Sequence, residues 1–145
     1  MLSENALRTI GNLDREQSER RVRRLYDLWS HGEIDEMIAG MAAEVKFATR
    51  GQWAGAKPPS VGRAAVAAHL HGFDGVAENI VSVLHEILID GDRVVVHRTA
   101  VGRRRDNSRR YQCDFIDFFR FRDGLLVEFS PYPDSAWVEA EKQQV

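Results

Sequence analysis

Between Tyr111 and Pro133 the chain reads YQCDFIDFFRFRDGLLVEFSPYP, and no other stretch limits the possible folds as much. Successive side chains of a strand point to opposite faces, so Tyr111, Cys113, Phe115, Asp117, Phe119 and Phe121 would share one face. The other row, Gln112, Asp114, Ile116, Phe118, Arg120 and Arg122, is wetter. Arg122-Asp123-Gly124 reads as a three-residue hairpin loop closed by a left-handed glycine. That loop sets Phe121 against Leu125 and Asp117 against Phe129. One carboxylic acid therefore falls in a row of aromatic and apolar neighbours. A carboxyl inside an apolar sheet face needs an explanation, and it is the best functional clue in the chain.

The rest of the chain supplies what could cover such a face. Asp14 to His31 reads as a helix that opens on an Asp14/Gln17 capping box, with Val22, Leu25, Tyr26 and Trp29 at i, i+3, i+4, i+7. A shorter helix over Glu33–Ala42 repeats the spacing with Ile34, Met37, Ile38 and Met41. Glu44–Thr49 alternates like a strand, and residues 50–59 form a loop whose one large apolar residue is Trp53. A third helix runs from Ser60, as N-cap, to His71. Asn79–Ile89 and Arg93–Val101 make a long hairpin about Asp90-Gly91-Asp92, and the loop 102–110 leads into the Tyr111 strand. Residues 1–13 form an N-terminal arm, and Asp134 opens a short terminal helix in which Trp137 closes the core. Helices first and a meander after predict an α+β domain, with helices on one face of an antiparallel sheet.

At 145 residues the chain is read as a single domain, 1–145, long enough to enclose a pocket. A net charge of -2 argues against a general nucleic-acid binder. The single cysteine cannot form an internal disulfide and fits a cytoplasmic setting. There is no apolar signal core and no window that could span a bilayer, so no membrane is expected.

The layout resembles the NTF2-like superfamily, in its SnoaL-like and ketosteroid-isomerase-like branch. The resemblance is carried by VRRLYDLWSHGEIDEMIAGM (22–41), GRAAV (62–66), ILIDGDRVVVHRT (87–99) and FIDFFRFRDGLLVEF followed by PYPDS (115–135). It implies a cone in which helices pack in the concave face of a curved, mostly antiparallel sheet around an apolar cavity. It also implies that the outer sheet face pairs two subunits. Asp117 falls where ketosteroid isomerase has the neutral, hydrogen-bond-donating acid of its oxyanion hole. The base position of that enzyme falls on about Thr49 and its tyrosine position on Leu25, beside Tyr26, so its reaction is not expected here. The Asp-Arg-Asp positions of limonene-epoxide-hydrolase-like enzymes fall on about His97, Thr99 and Pro131.

Strand parity about Gly91 points to another arrangement. It puts Leu84, Glu86, Leu88, Val95, His97 and Thr99 on one face, which Asp117 joins through the next strand pair. A Glu86–His97–Asp117 cluster in the cavity could move protons next to a carbonyl, as an isomerase, lyase or cyclase would. It could equally orient a ligand without chemistry, or be a buried polar network. Tyr26, Trp29, Trp53, Thr99, Tyr111, Phe115, Phe119 and Phe129 are the expected contacts to a small apolar molecule. No cofactor and no metal are expected: His69 and His71 diverge on their helix, and His85 and His97 should face opposite sides of the sheet. Cys113 reads as packing, and the arginines of loop 102–110 as a solvated loop. The outward row, Val81, Val83, Ile87, Ile89, Val94, Val96, Ile116 and Phe118, predicts a homodimer, with Arg98 and His85 at or near it.

Overall fold

The computed structural model describes residues 13–48, 58–72 and 77–134. The expected N-terminal arm, Thr49, Trp53 and the terminal helix with Trp137 lie outside the described residues. Helix α1 (Arg15–Ser30) begins on the reciprocal capping box: Gln17 N–H donates to the Asp14 carboxylate and Asp14 N–H to the Gln17 side chain. Val22, Leu25 and Tyr26 are buried and Trp29 packs beside them, which is the stripe the spacing requires. Helix α2 (Ile34–Ala39) is shorter than its periodicity suggests, because Met41 and Ala42 enter strand β1 (Met41–Phe47). Met41 is in register with Leu126, and Gly40 C=O accepts from Leu126 N–H. Sheet pairing here outweighs a helical pattern. Ser60 is not a cap: with Val61 it forms strand β2 (Ser60–Val61), and helix α3 (Arg63–Gly72) starts after Gly62.

Strands β3 (Ala77–Asp90), β4 (Arg93–Arg104), β5 (Arg110–Arg122) and β6 (Leu125–Pro133) complete a sheet of order β2-β1-β6-β5-β4-β3. All neighbours are antiparallel except β1 and β6. Val94, Val96, Phe119, Phe121, Leu126 and Phe129 meet Val22, Leu25 and Tyr26 of α1 in the core. This is the α+β architecture expected, a curved, mostly antiparallel sheet with helices against one face.

Three departures from simple alternation decide what each face carries. First, Arg122 pairs with Leu125, so the β5–β6 loop holds just Asp123 and Gly124, with φ of 53° and 78°. Two positive φ values mark a type I′ turn rather than a three-residue loop. With a register shift at Arg120/Phe121, Phe121 meets Leu126, Phe119 meets Phe129, and Asp117 meets Pro131, not Phe129.

Second, Asp117 pairs with Val96 across β4. Val94, Val96, Arg98 and Ala100 therefore share its face, and Val95, His97 and Thr99 lie on the other. A one-residue difference in the loop connection exchanges every side chain between faces. Third, β3 has a bulge between Leu84 and Glu86. Ser82 and Leu84 face inward before it, and Ile87 and Ile89 after it. Ile87, Ile89, Val94 and Val96, expected outside, pack into the core, whereas Leu88, expected inside, is exposed. The outer face keeps Val81, Val83, Ile116 and Phe118. Farther along, β3 and β4 approach closely at Gly102, where a Cβ would lie 2.9 Å from Glu78 O and from Ile80 Cγ1.

Candidate ligand-binding site

The inner face of β4 carries a charge. Arg98 is 3% exposed and Asp117, on the neighbouring strand, is fully buried. Arg98 Nε–H donates to Asp117 Oδ2, and Nη2 approaches Oδ1 at 3.5 Å. The Tyr26 hydroxyl, reaching over from α1, donates to the same Oδ2. Arg98 Nη1 donates to Ser82 Oγ at 3.2 Å. Three rings surround the guanidinium: its carbon lies 4.1 Å from the Phe115 centroid, 5.3 Å from Trp29 and 5.4 Å from Tyr26. Each is within reach of a cation–π contact. Tyr26 and Trp29 are one helical turn apart, so the apolar stripe of α1 delivers both to one cation.

The cation forms part of a cavity wall. A cavity of about 290 Å³ is lined by Arg98, Trp29, Tyr111, Phe115, Ile80 and Ser82, with Ala100 and Pro131 filling in. Glu78 and Arg105, which pair at 3.3 Å and are both half-exposed, stand at its rim. A guanidinium has five N–H donors. The bonds to Asp117 and Ser82 use Nε–H and one hydrogen on each terminal nitrogen. The Tyr26 hydroxyl also lies within hydrogen-bonding reach of the guanidinium.

Burial, the largest influence on the Arg98 guanidinium, pulls its pKa down; the charge of Asp117 and then Tyr26 more than offset it, and the net direction is upward. Arg98 is therefore a permanent cation. Tyr26 is raised well above its ordinary value, first by burial and then by Asp117, with Arg98 opposing. Burial pushes Tyr111 up to about 12. Burial also pushes the Cys113 thiol up to about 11, so it stays a thiol and packs.

The expected Glu86–His97–Asp117 cluster does not assemble. Asp117 is inside; Glu86 and His97 are in register with one another on the outer face. The β4–β5 register, which pairs Asp117 with Val96 and not with His97, separates them. Thr99 also faces out, where its hydroxyl bonds Asp114 and His85. His85 and His97 do not oppose one another: their ring centroids are 4.8 Å apart on the same face. Trp29, Tyr111 and Phe115 line the cavity, Tyr26 stands behind it at Asp117, and Phe119 and Phe129 belong to the core. Arg104 and Arg105 of the basic loop hold Asp106 and Glu78. Arg98, the residue that gives the site its character, was assigned to the wrong face; the signal that could have found it is the need of a buried Asp117 for a cation.

A family model, the SnoaL-like domain, matches residues 22–129. Among solved structures, the chain is similar to a provisionally assigned SnoaL-like polyketide cyclase from Jannaschia sp. CCS1. They are 18% identical over 86% of this chain and 90% of that one, with a TM-score of 0.76. It is also similar to TerC co-crystallised with polyporic acid, at 19% identity over 86% and 96% of the two chains and a TM-score of 0.75. A hypothetical protein with a ketosteroid-isomerase-like fold from Catenulispora acidiphila, in complex with trimethylamine, is 14% identical over 77% and 83%, with a TM-score of 0.68. None of the curated proteins compared with the chain matches it.

Two outcomes follow for stability. Arg98→Met leaves the Asp117 carboxylate buried without its cation and should cost about 3–5 kcal/mol in urea unfolding. The double variant Arg98→Met/Asp117→Leu should recover most of that loss; no recovery would mean that the pair itself is not the source. For Tyr111, the folded pKa of about 12 lies above the ordinary 10. The folded chain therefore keeps a proton that the unfolded chain releases. Stability present below pH 10 is lost as pH rises from about 10 to about 12, on the order of 2 kcal/mol. Tyr111→Phe should show a smaller alkaline loss than the parent when unfolding is compared across that window.

Proposed function

Because the chain belongs to the SnoaL-like domain family, we propose that its cavity takes a small, flat, largely apolar molecule whose oxygen lies against Arg98. The observation that carries this reading is a guanidinium that is 3% exposed and lines the cavity. A ligand carbonyl, enolate or carboxylate oxygen would make a charge-assisted hydrogen bond to it. The aromatic wall of Trp29, Tyr111 and Phe115 suits a planar body. TerC, of similar fold, is co-crystallised with polyporic acid, and an acid is what a cationic wall would take.

The reaction class that fits is acid–base isomerisation, elimination or ring closure at a carbon next to a carbonyl. As the proton leaves carbon, negative charge gathers on oxygen, and a cation fixed beforehand stabilises it. Arg98 supplies that cation. The Tyr111 phenol, held protonated, stands at the same wall. Asp117 and Tyr26 touch Arg98 and one another rather than the ligand, so they act as positioning residues. Glu78 is the carboxylate among the lining residues and the candidate base. A second reading, binding without turnover, is favoured by the tie between Glu78 and Arg105 at the rim.

The outer face is also proposed to pair two copies of the chain. Val81, Val83, Leu88, Ile116, Phe118 and Tyr132 are exposed there, and grouped exposed apolar side chains mark interaction surfaces. Sedimentation at micromolar concentration should give a dimer; a monomer removes this assignment.

For the cavity, 2-naphthoate and 2-methylnaphthalene make a matched pair of probes that differ in the oxygen. Calorimetry should show naphthoate binding at least about tenfold tighter, a difference of about 1.4 kcal/mol. Equal binding would defeat the role given to Arg98. Exchange of the α-protons of 2-tetralone in heavy water, followed by proton NMR, separates the two readings. Exchange above buffer that slows in Glu78→Gln supports turnover, and exchange at the buffer rate leaves binding alone.

A further inference from the structure

The outer face of the sheet holds a second cluster, distinct from the cavity. His85 on β3, His97 on β4 and Asp114 on β5 stand on three adjacent strands. One ligand atom from each lies within 4.8 Å of the other two. His97 Nε2 is 3.8 Å from Asp114 Oδ2. Thr99 sits between the other two: its hydroxyl donates to Asp114 Oδ1 at 2.6 Å and lies 2.7 Å from His85 Nε2. Since the Thr99 hydrogen goes to Asp114, His85 Nε2–H is the donor in the second bond.

The local structure that produces this grouping is specific. Leu84 pairs with Arg98 and Glu86 with His97, so His85 is the additional residue of the β3 bulge. Uninterrupted alternation would put residue 85 on the opposite face from residue 86. The bulge presents both outward and brings the His85 ring to 4.8 Å from that of His97. Bulges re-aim side chains, and this one adds an imidazole where another imidazole and a carboxylate already stand. Val83 and Ile116 are exposed on the same face.

We infer that His85, His97 and Asp114 form a binding site for a borderline divalent transition metal ion, with zinc as the representative. Two imidazoles and one carboxylate are the donor set such ions take, and they leave a fourth position open. Zinc bonds of about 2.0–2.2 Å require ligand atoms roughly 3.3 Å apart in a tetrahedron. The triangle must therefore contract by up to about 1.5 Å. The side chains of His97 and Asp114 are 41% and 55% exposed and have room to turn. Thr99 is a positioning residue: it holds the carboxylate and one imidazole in place before the ion arrives, as outer partners of metal ligands do. The site lies on the side of the sheet away from Arg98, on the face proposed to pair two copies of the chain.

The test uses the full chain without an affinity tag, stripped with EDTA, and titrated with Zn²⁺ by calorimetry and with Co²⁺ by visible absorption. A saturable site for a single ion per chain is expected, with a Co²⁺ d–d band of low-symmetry intensity. His85→Ala and His97→Ala should each weaken binding at least tenfold and dim the band. Thr99→Val should weaken it by about tenfold and leave the band in place, in line with the loss of an outer partner. Cys113→Ser, altered on the other face, should bind as the parent does, which removes the lone thiol as the source. Circular dichroism checks that each variant is folded. No saturable binding, or binding that His97→Ala leaves intact, overturns the site.

Discussion

The ion pair between Arg98 and Asp117 is the interaction around which the interior is arranged. Two charges out of water cost several kcal/mol each, and their attraction offsets this only when the remaining hydrogen-bonding capacity is also met. Here Tyr26 satisfies the acid from the helix side, Ser82 the guanidinium from β3, and three aromatic rings stand around the cation. The helix, three strands and one cavity wall are thereby tied to a single point. An apolar replacement of matched volume could be as stable, so the pair is better understood as a fixed charge set into an apolar chamber than as a stabiliser. The side of the guanidinium that lines the cavity is the part that a ligand can read.

This also separates the chain from the ketosteroid-isomerase arrangement that its sequence resembles. There an apolar site leaves an acid able to donate a hydrogen bond. Here Asp117 accepts, from Arg98 and from Tyr26, and the group facing the cavity is the cation. A similar acid in a similar strand context thus serves a different task, and the difference lies in one neighbour. Family membership speaks to the fold; what the site can do depends on the cation in its wall.

Much of the architecture was legible in residue order. The α1 stripe, its capping box, the inward row of β5 and the helices-then-meander layout needed nothing beyond periodicity. The β3–β4 hairpin register was also legible, because Gly91 fixes it. Two things were not. The β4–β5 connection runs through Arg105–Arg109, where Asp106-Asn107-Ser108 marks a turn without fixing its type, and its length could be divided between loop and strand in more than one way. Nor does anything in NIVSVLHEILID announce an additional residue at His85, since Val, Leu and Ile stand on both sides. The first put Arg98 inside and His97 outside and carried the site with it; the second put His85 beside His97. The demand of a buried carboxylate for a cation is a stronger constraint than parity over a long loop, and Arg98 was within reach of that argument.

The bulge in β3 also bears on what length this strand must have. Excising its additional residue would restore plain alternation: Leu84 and Ile87 would still look inward and Glu86 outward. Neither the cavity wall nor the core depends on it. The strand can therefore gain or lose a residue at this point without disturbing the interior, and the exterior alone would register the change.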